Sequence, residues 1–106
     1  MTVSMEDVRN ALDPEEPRYG ALAKLGTGAL PHLQVLVDGK DPMLASKAAY
    51  AASLLEGGAG ENVVQAAARS QDPVVRVAAA AAARNLPAAS AKSVLTVLVR
   101  DDDAGI

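Results

Sequence analysis

Shifting the 106-residue sequence by 31 positions brings Asp41, Asp72 and Asp103 into coincidence without a gap, and this internal period constrains the fold more than any other feature. The apolar positions ahead of each Asp coincide too: Leu33 with Val64 and Leu95, Leu36 with Ala67 and Leu98, Val37 with Ala68 and Val99. They fall at i, i+3 and i+4, so each set is one face of a helix. Beyond the Asp, Pro42 matches Pro73, and Leu44, Val75 and Ile106 share a position. Ala48, Ala49, Ala51, Ala52 and Leu55 then match Ala79, Ala80, Ala82, Ala83 and Leu86, which makes a second helix per repeat.

Asp-Pro has a direct physical meaning at these junctions. The Asp carboxylate accepts hydrogen bonds from the free N–H groups of a first helical turn, and Pro just inside the helix gives up an N–H that would have been unpaired there. A third instance, Asp13-Pro14-Glu15-Glu16, carries acidic residues suited to the positive end of a helix, with Glu16 placed as in a capping box. The expected helices are Met5 to Leu12, Pro14 to Leu25, Ala29 to Val37, Pro42 to Glu56, Glu61 to Arg69, Pro73 to Leu86 and Ala88 to Arg100. Glycine and polar turns separate them, and no linker is long enough to divide the chain. The organisation expected is one domain over 1–106, with hairpin units at 4–26, 29–56 and 60–86 and an incomplete one at 88–106.

Composition fits helices in close contact. There are 23 alanines, and the only aromatics are two Tyr. Small side chains fill a core only where backbones approach closely. With no cysteine, thiolate metal sites and disulfides are excluded. Met1 to Leu12 carries Glu6, Asp7 and Arg9 rather than a leader's apolar core, and no stretch approaches the ~20 apolar residues of a membrane span. The expected location is the cytoplasm. A net charge of −3, with ten Lys and Arg scattered along the chain, disfavours nucleic acid as a partner.

The segment Asp72-Pro73-Val74-Val75-Arg76-Val77-Ala78-Ala79-Ala80, closed by Leu86, resembles the second helix of HEAT-like repeats, particularly the short, alanine-rich bacterial kind grouped with bilin-lyase-type repeats. The likeness implies an all-α, armadillo-like fold: a right-handed α-solenoid, or α-α superhelix, of about three helical hairpins plus an unpaired C-terminal helix. It also implies a hydrogen-bonded ladder involving Asp72 and Arg76, with Asp41 and Asp103 at the Asp position and a gap at Ala45, where Arg would stand. The period is shorter than the ~40–47 residues of the larger HEAT and armadillo units. Ankyrin's Thr-Pro-Leu-His is absent, and so is the Trp of tetratricopeptide helices.

No catalytic constellation emerges. His32 is the only histidine, at a position held by Val63 and Val94 in the other repeats, and is expected to be a surface or partly packed residue. Gly26-Thr27-Gly28 and Gly57-Gly58-Ala59-Gly60 follow no strand and lead into no Gly-Lys-Ser/Thr, so they are turns and not phosphate loops. Asp101-Asp102-Asp103 is explained by the register, with Asp103 as the cap of a next helix. Asp13, Asp41, Asp72, Arg76 and Asp103 are thus structural caps or ladder residues, and no metal or cofactor is expected.

The more informative positions lie on the second helices, opposite their buried faces. With the buried face centred on Leu44, Ala48, Ala51 and Leu55, the far side carries Ser46, Tyr50 and Ser53, and Val77, Ala81 and Arg84 in the next repeat. In HEAT-like solenoids the second helices line the concave surface, so the resemblance makes these six residues the expected protein-binding face of a non-enzymatic scaffold. Tyr and Arg suit that role. The resemblance also leaves open an accessory subunit of a bilin lyase or isomerase, or a nucleic-acid-binding HEAT-like module. At the C-terminal end Val94, Val97, Leu98 and Val99 are expected to leave apolar surface bare, which points to self-association or to further repeats.

Overall fold

Three helices start with the same chemistry. In the computed structural model, which describes residues 2–99, Ser4 caps α1 (Met5–Leu12), Asp41 caps α4 (Pro42–Ser53) and Asp72 caps α6 (Pro73–Ala83). Ser4 and Asp7 form a complete capping box: the Asp7 N–H donates to Ser4 Oγ at 3.1 Å, and the Ser4 N–H donates to Asp7 Oδ2 at 3.0 Å. The Asp41 carboxylate accepts from the Leu44 N–H at 3.2 Å, and that of Asp72 from the Val74 N–H at 2.8 Å. Between them lie α2 (Tyr19–Leu25), α3 (Leu30–Val37), α5 (Glu61–Ala68) and finally α7 (Ala88–Val99), with 3-10 turns at Gly26–Ala29 and Glu56–Gly58. No strand occurs among the described residues.

The expected helix from Pro14 to Leu25 is shorter than the Asp13-Pro14 pair suggested, and Asp13 is not a helix N-cap. Asp13 instead closes α1 with αR geometry, its N–H donating to the Arg9 carbonyl at 2.8 Å, and its carboxylate faces Arg9 across 3.7 Å on the surface. Pro17 supplies the reason. A helix starting at Pro14 would need an N–H at residue 17 to reach the Asp13 carbonyl, and the ring of Pro17 would strike that carbonyl while forcing Glu16 out of the helical region. The chain therefore stays irregular until Tyr19. Asp103, Ile106 and the Asp101–Asp103 run lie outside the described residues.

The helices pack in rows. α3 lies against α5 and α5 against α7, while α4 lies against α6; α3 with α4 and α5 with α6 make the hairpins. Alanine sets the spacing. Ala45, Ala48, Ala49, Ala51 and Ala52 of α4, with Ala79, Ala82 and Ala83 of α6, are buried, and each methyl removed from water contributes about 0.8 kcal/mol. Leu12, Leu22, Leu33, Val64, Val75 and Val94 fill the spaces left around them. Gly57, with φ +68°, turns the chain after α4 through the left-handed region that a side chain disfavours. No helix among the described residues is long and apolar enough to cross a membrane.

Candidate functional site

The six residues expected on the partner-binding face fall into two groups. On α6, Val77 is 56% exposed, and Ala81 and Arg84 are also exposed. On α4 the outcome differs, because this helix is enclosed on more sides than a single buried face implies. It contacts α3, α5 and α6, with α1 and α2 reaching it as well.

Ser53 is a correction: it is buried and no part of an outer face. Its hydroxyl donates to the Tyr50 carbonyl and accepts from Asn85 Nδ2 at 3.1 Å, fastening the end of α4 to the chain just past α6. Tyr50 is half-buried, its ring tilted 59° against that of Tyr19 with centroids 4.9 Å apart. Ser46 is half-buried with its hydroxyl donating to the Pro42 carbonyl at 2.7 Å. What α4 does leave open is Met43, 67% exposed, in the same register position as Val74 of α6, which is 56% exposed. The sequence pattern does not single them out, since both lie to the side of the face opposite Leu44, Ala48, Ala51 and Leu55 and its counterpart in the next repeat.

The outer face of α6 is thus Val74, Val77, Ala81 and Arg84. Neither α4 nor α6 contains an Asp or Glu within its helical span. Arg76 points the other way: it is 6% exposed, and its Nη1 donates to the Ser70 carbonyl at 2.6 Å. Ser70 Oγ in turn accepts from the Asp72 N–H at 3.1 Å, so Ser70 links Arg76 to the cap of α6. A cleft of about 660 Å³ opens beside this loop, with Asp38 and Lys40 on one wall and Arg69, Gln71 and Asp72 on the other. Its charges are mixed in sign.

His32 lies half-buried, its Nε2–H donating to the Val3 carbonyl at 2.8 Å, which ties the segment before α1 to α3. Among the described residues no group of three or more His, Cys, Asp or Glu is placed to hold a metal ion. Among the described residues two ionisable groups depart from ordinary behaviour, both for local reasons. The Asp7 carboxyl is lowered by the Ser4 N–H and hydroxyl, with His32 adding a small favourable charge. The Tyr19 phenol is raised by burial and then by Tyr50.

At the C-terminal end the bare surface agrees with the expected one at Val99 and differs at Val94 and Leu98. Val94 and Leu98 are buried at 0% and 4% exposure and Val97 is half-buried, whereas Leu95 is 45% and Val99 83% exposed. Val94 and Leu98 face the body of the protein, where α5 and α6 meet α7, and the outward stripe is one residue further round the helix. Comparison with protein families, curated proteins and solved structures finds no match for this chain.

Proposed function

We propose that the chain is a short α-solenoid of HEAT-like hairpins that serves as a non-catalytic scaffold, holding another protein on the outer face of α6. The repeated caps at Asp41 and Asp72, and the stacking of α3 on α5 on α7 beside α4 on α6, support the architectural part. One observation carries the functional part: Val74, Val77 and Ala81 stand exposed at i, i+3 and i+7 along α6 and lead to Arg84. That spacing matches the stripe of an amphipathic helix, and the small side chain of Ala81 leaves room for a larger one from the partner. Arg84 offers a carboxylate on the partner two fixed donors. The partner fitted to this face is therefore a helical segment with an apolar stripe and an acidic end.

Photo-crosslinking tests the reading. A crosslinking side chain at Val77 captures the partner in cells that make the protein, whereas one at Glu6 on α1 does not. With the crosslinker kept at Val77, Val74→Lys combined with Arg84→Glu abolishes capture without lowering helix content, because both positions are exposed. Capture that survives both substitutions excludes this face.

A further inference from the structure

We propose that the cleft between the α3–α4 and α5–α6 connections binds a short peptide through both of its free termini. The starting point is a reversal within the repeat. Asp38 and Arg69 stand at the same position of the 31-residue register, each just past the first helix of its hairpin, yet they carry opposite charge. Both are exposed and both line the cleft of about 660 Å³, with Lys40 on the wall of the first and Asp72 on the wall of the second. No ion pair among the described residues joins these four groups. Opposite charges therefore face a shared space without closing it.

Hydrogen bonding leaves each of them capacity to spare. Asp38 Oδ2 accepts from Gln34 Nε2 at 3.1 Å and Asp72 Oδ1 from the Val74 N–H at 2.8 Å, which leaves the other oxygen of each carboxylate open among the described residues. Arg69 Nη2 reaches Gln65 Oε1 only at 3.5 Å, so the rest of its fork is available.

Charge selects the class of ligand. Two cations and two carboxylates line the cleft, so a ligand with net charge of either sign meets repulsion as well as attraction, while a zwitterion satisfies both signs. Spacing selects a peptide over a free amino acid. α3 packs on α5 and α4 on α6, so the two connections stand roughly 8–10 Å apart, one interhelical spacing. An extended tripeptide spans ~10 Å, whereas the ammonium and carboxylate of a single amino acid flank one carbon. Val37 and Val75, 6% and 2% exposed, floor the cleft with Ala66 and offer contact to an aliphatic side chain between the termini. The ammonium lies at the open Asp38 oxygen and the carboxylate on the Arg69 fork, which can give it two parallel N–H bonds.

Titration of the isotope-labelled whole chain with the tripeptide Ala-Leu-Ala, followed by NMR, tests this. The amides of Gly39, Lys40, Ser70 and Gln71 are expected to shift together, with a dissociation constant of about 1 mM. Acetylating the peptide's N-terminus or amidating its C-terminus weakens binding about fivefold each, the scale of an exposed charge pair. Free leucine binds no better than the doubly capped peptide. Arg69→Gln abolishes the difference between the acid and the amide, and Asp38→Asn that between the amine and its acetylated form. Both positions are exposed, so the fold is expected to survive, and circular dichroism checks it. Should either variant fail to fold, the capped peptides on the parent chain decide alone. No shift at about 10 mM peptide overturns the proposal, as does binding indifferent to the caps or a cap effect that persists in the matching variant. Free leucine binding as tightly as Ala-Leu-Ala overturns it too. Partner capture at Val77 reads the outer face of α6, so the two proposals fail separately.

Discussion

The rings of Tyr19 and Tyr50 meet with centroids 4.9 Å apart and planes tilted by 59°, joining α2 to α4 across the irregular stretch that follows α1. A tilted pair of this kind contributes about 1 kcal/mol beyond the area it covers. Tyr50→Ala is accordingly expected to lower the melting temperature. The same contact holds the Tyr19 phenol above its ordinary value of 10.0, through burial first and Tyr50 second. Tyr50→Phe leaves one tyrosine, so the absorbance of tyrosinate then reads Tyr19 alone, with a midpoint still above 10.0 because burial persists. Since the folded state prefers the neutral phenol, Tyr19 leaves stability level below pH 10.0 and reduces it as the pH rises from there through the raised value. A midpoint at or below 10.0 in Tyr50→Phe contradicts this account.

Asp41 and Asp72 accept from backbone N–H groups of the helices they open, whereas Asp13 has only an exposed 3.7 Å pairing with Arg9. Asp41→Ala and Asp72→Ala should each cost about 1 kcal/mol in urea unfolding. Asp13→Ala should cost under about 0.5 kcal/mol, as surface ion pairs do. Equal losses at all three sites would mean that the Asp-Pro pair, and not cap geometry, sets the energetics.

Ser53 is buried with its hydroxyl engaged on both sides, by the Tyr50 carbonyl and by Asn85. Ser53→Ala removes those bonds and leaves Asn85 free to turn to water, so a loss of about 1 kcal/mol is expected. Partner capture at Val77 should not change. An effect on capture without one on stability would return Ser53 to the binding surface.

The period of 31 makes most of the helices and the caps at Asp41 and Asp72 legible in the sequence, because the repeat averages over local ambiguity. Two things escaped it. Pro17 decides where α2 starts, yet Asp13-Pro14 imitates the later junctions closely enough to hide it. The second is how many neighbours a helix has. A helical wheel assumes one buried arc, which suits α6 with its exposed Val74, Val77 and Ala81. It fails for α4, which packs against α3, α5 and α6 at once, so that Ala45, Ala49 and Ala52 are buried along with Ala48 and Ala51, and Tyr19 arrives from α2 as well. That arrival depends on the path of residues 13–18, which Lys47 steadies by donating to the Pro14 carbonyl at 3.4 Å, and no pattern in α4 announces it.

Gly60 stands at the start of α5 in the register position of Ala29 and Ala91. Its φ of −88° suits any residue, so space is what demands glycine: a Cβ here would sit inside the contact distance of the Ala52 carbonyl and 2.9 Å from the Ala52 Cβ. Gly60→Ala must push α5 away from the end of α4, and about 3 kcal/mol of destabilisation is expected. Gly20→Ala, where a Cβ meets nothing within 4 Å, should be neutral or slightly stabilising. A thermal melt that leaves Gly60→Ala unchanged would mean the two helices are further apart than described.

The capping box at Ser4 and Asp7 makes the first turn of α1 sensitive to acid. The Ser4 N–H and hydroxyl favour the ionised Asp7 carboxylate and hold its pKa below the ordinary 3.8. A folded-state value below the unfolded one gives stability that is fully present above pH 3.8 and disappears as the pH falls through the lowered folded value. The melting temperature should therefore decline on acidification, and Asp7→Asn, which cannot ionise, should flatten that part of the profile. Ser4→Ala removes the hydroxyl and keeps the backbone N–H, the larger cause, so the Asp7 carboxyl, followed by NMR, should move only part of the way up toward 3.8. If Asp7 titrates identically with and without the Ser4 hydroxyl, the backbone N–H alone holds it down and the reciprocal box is not what stabilises α1.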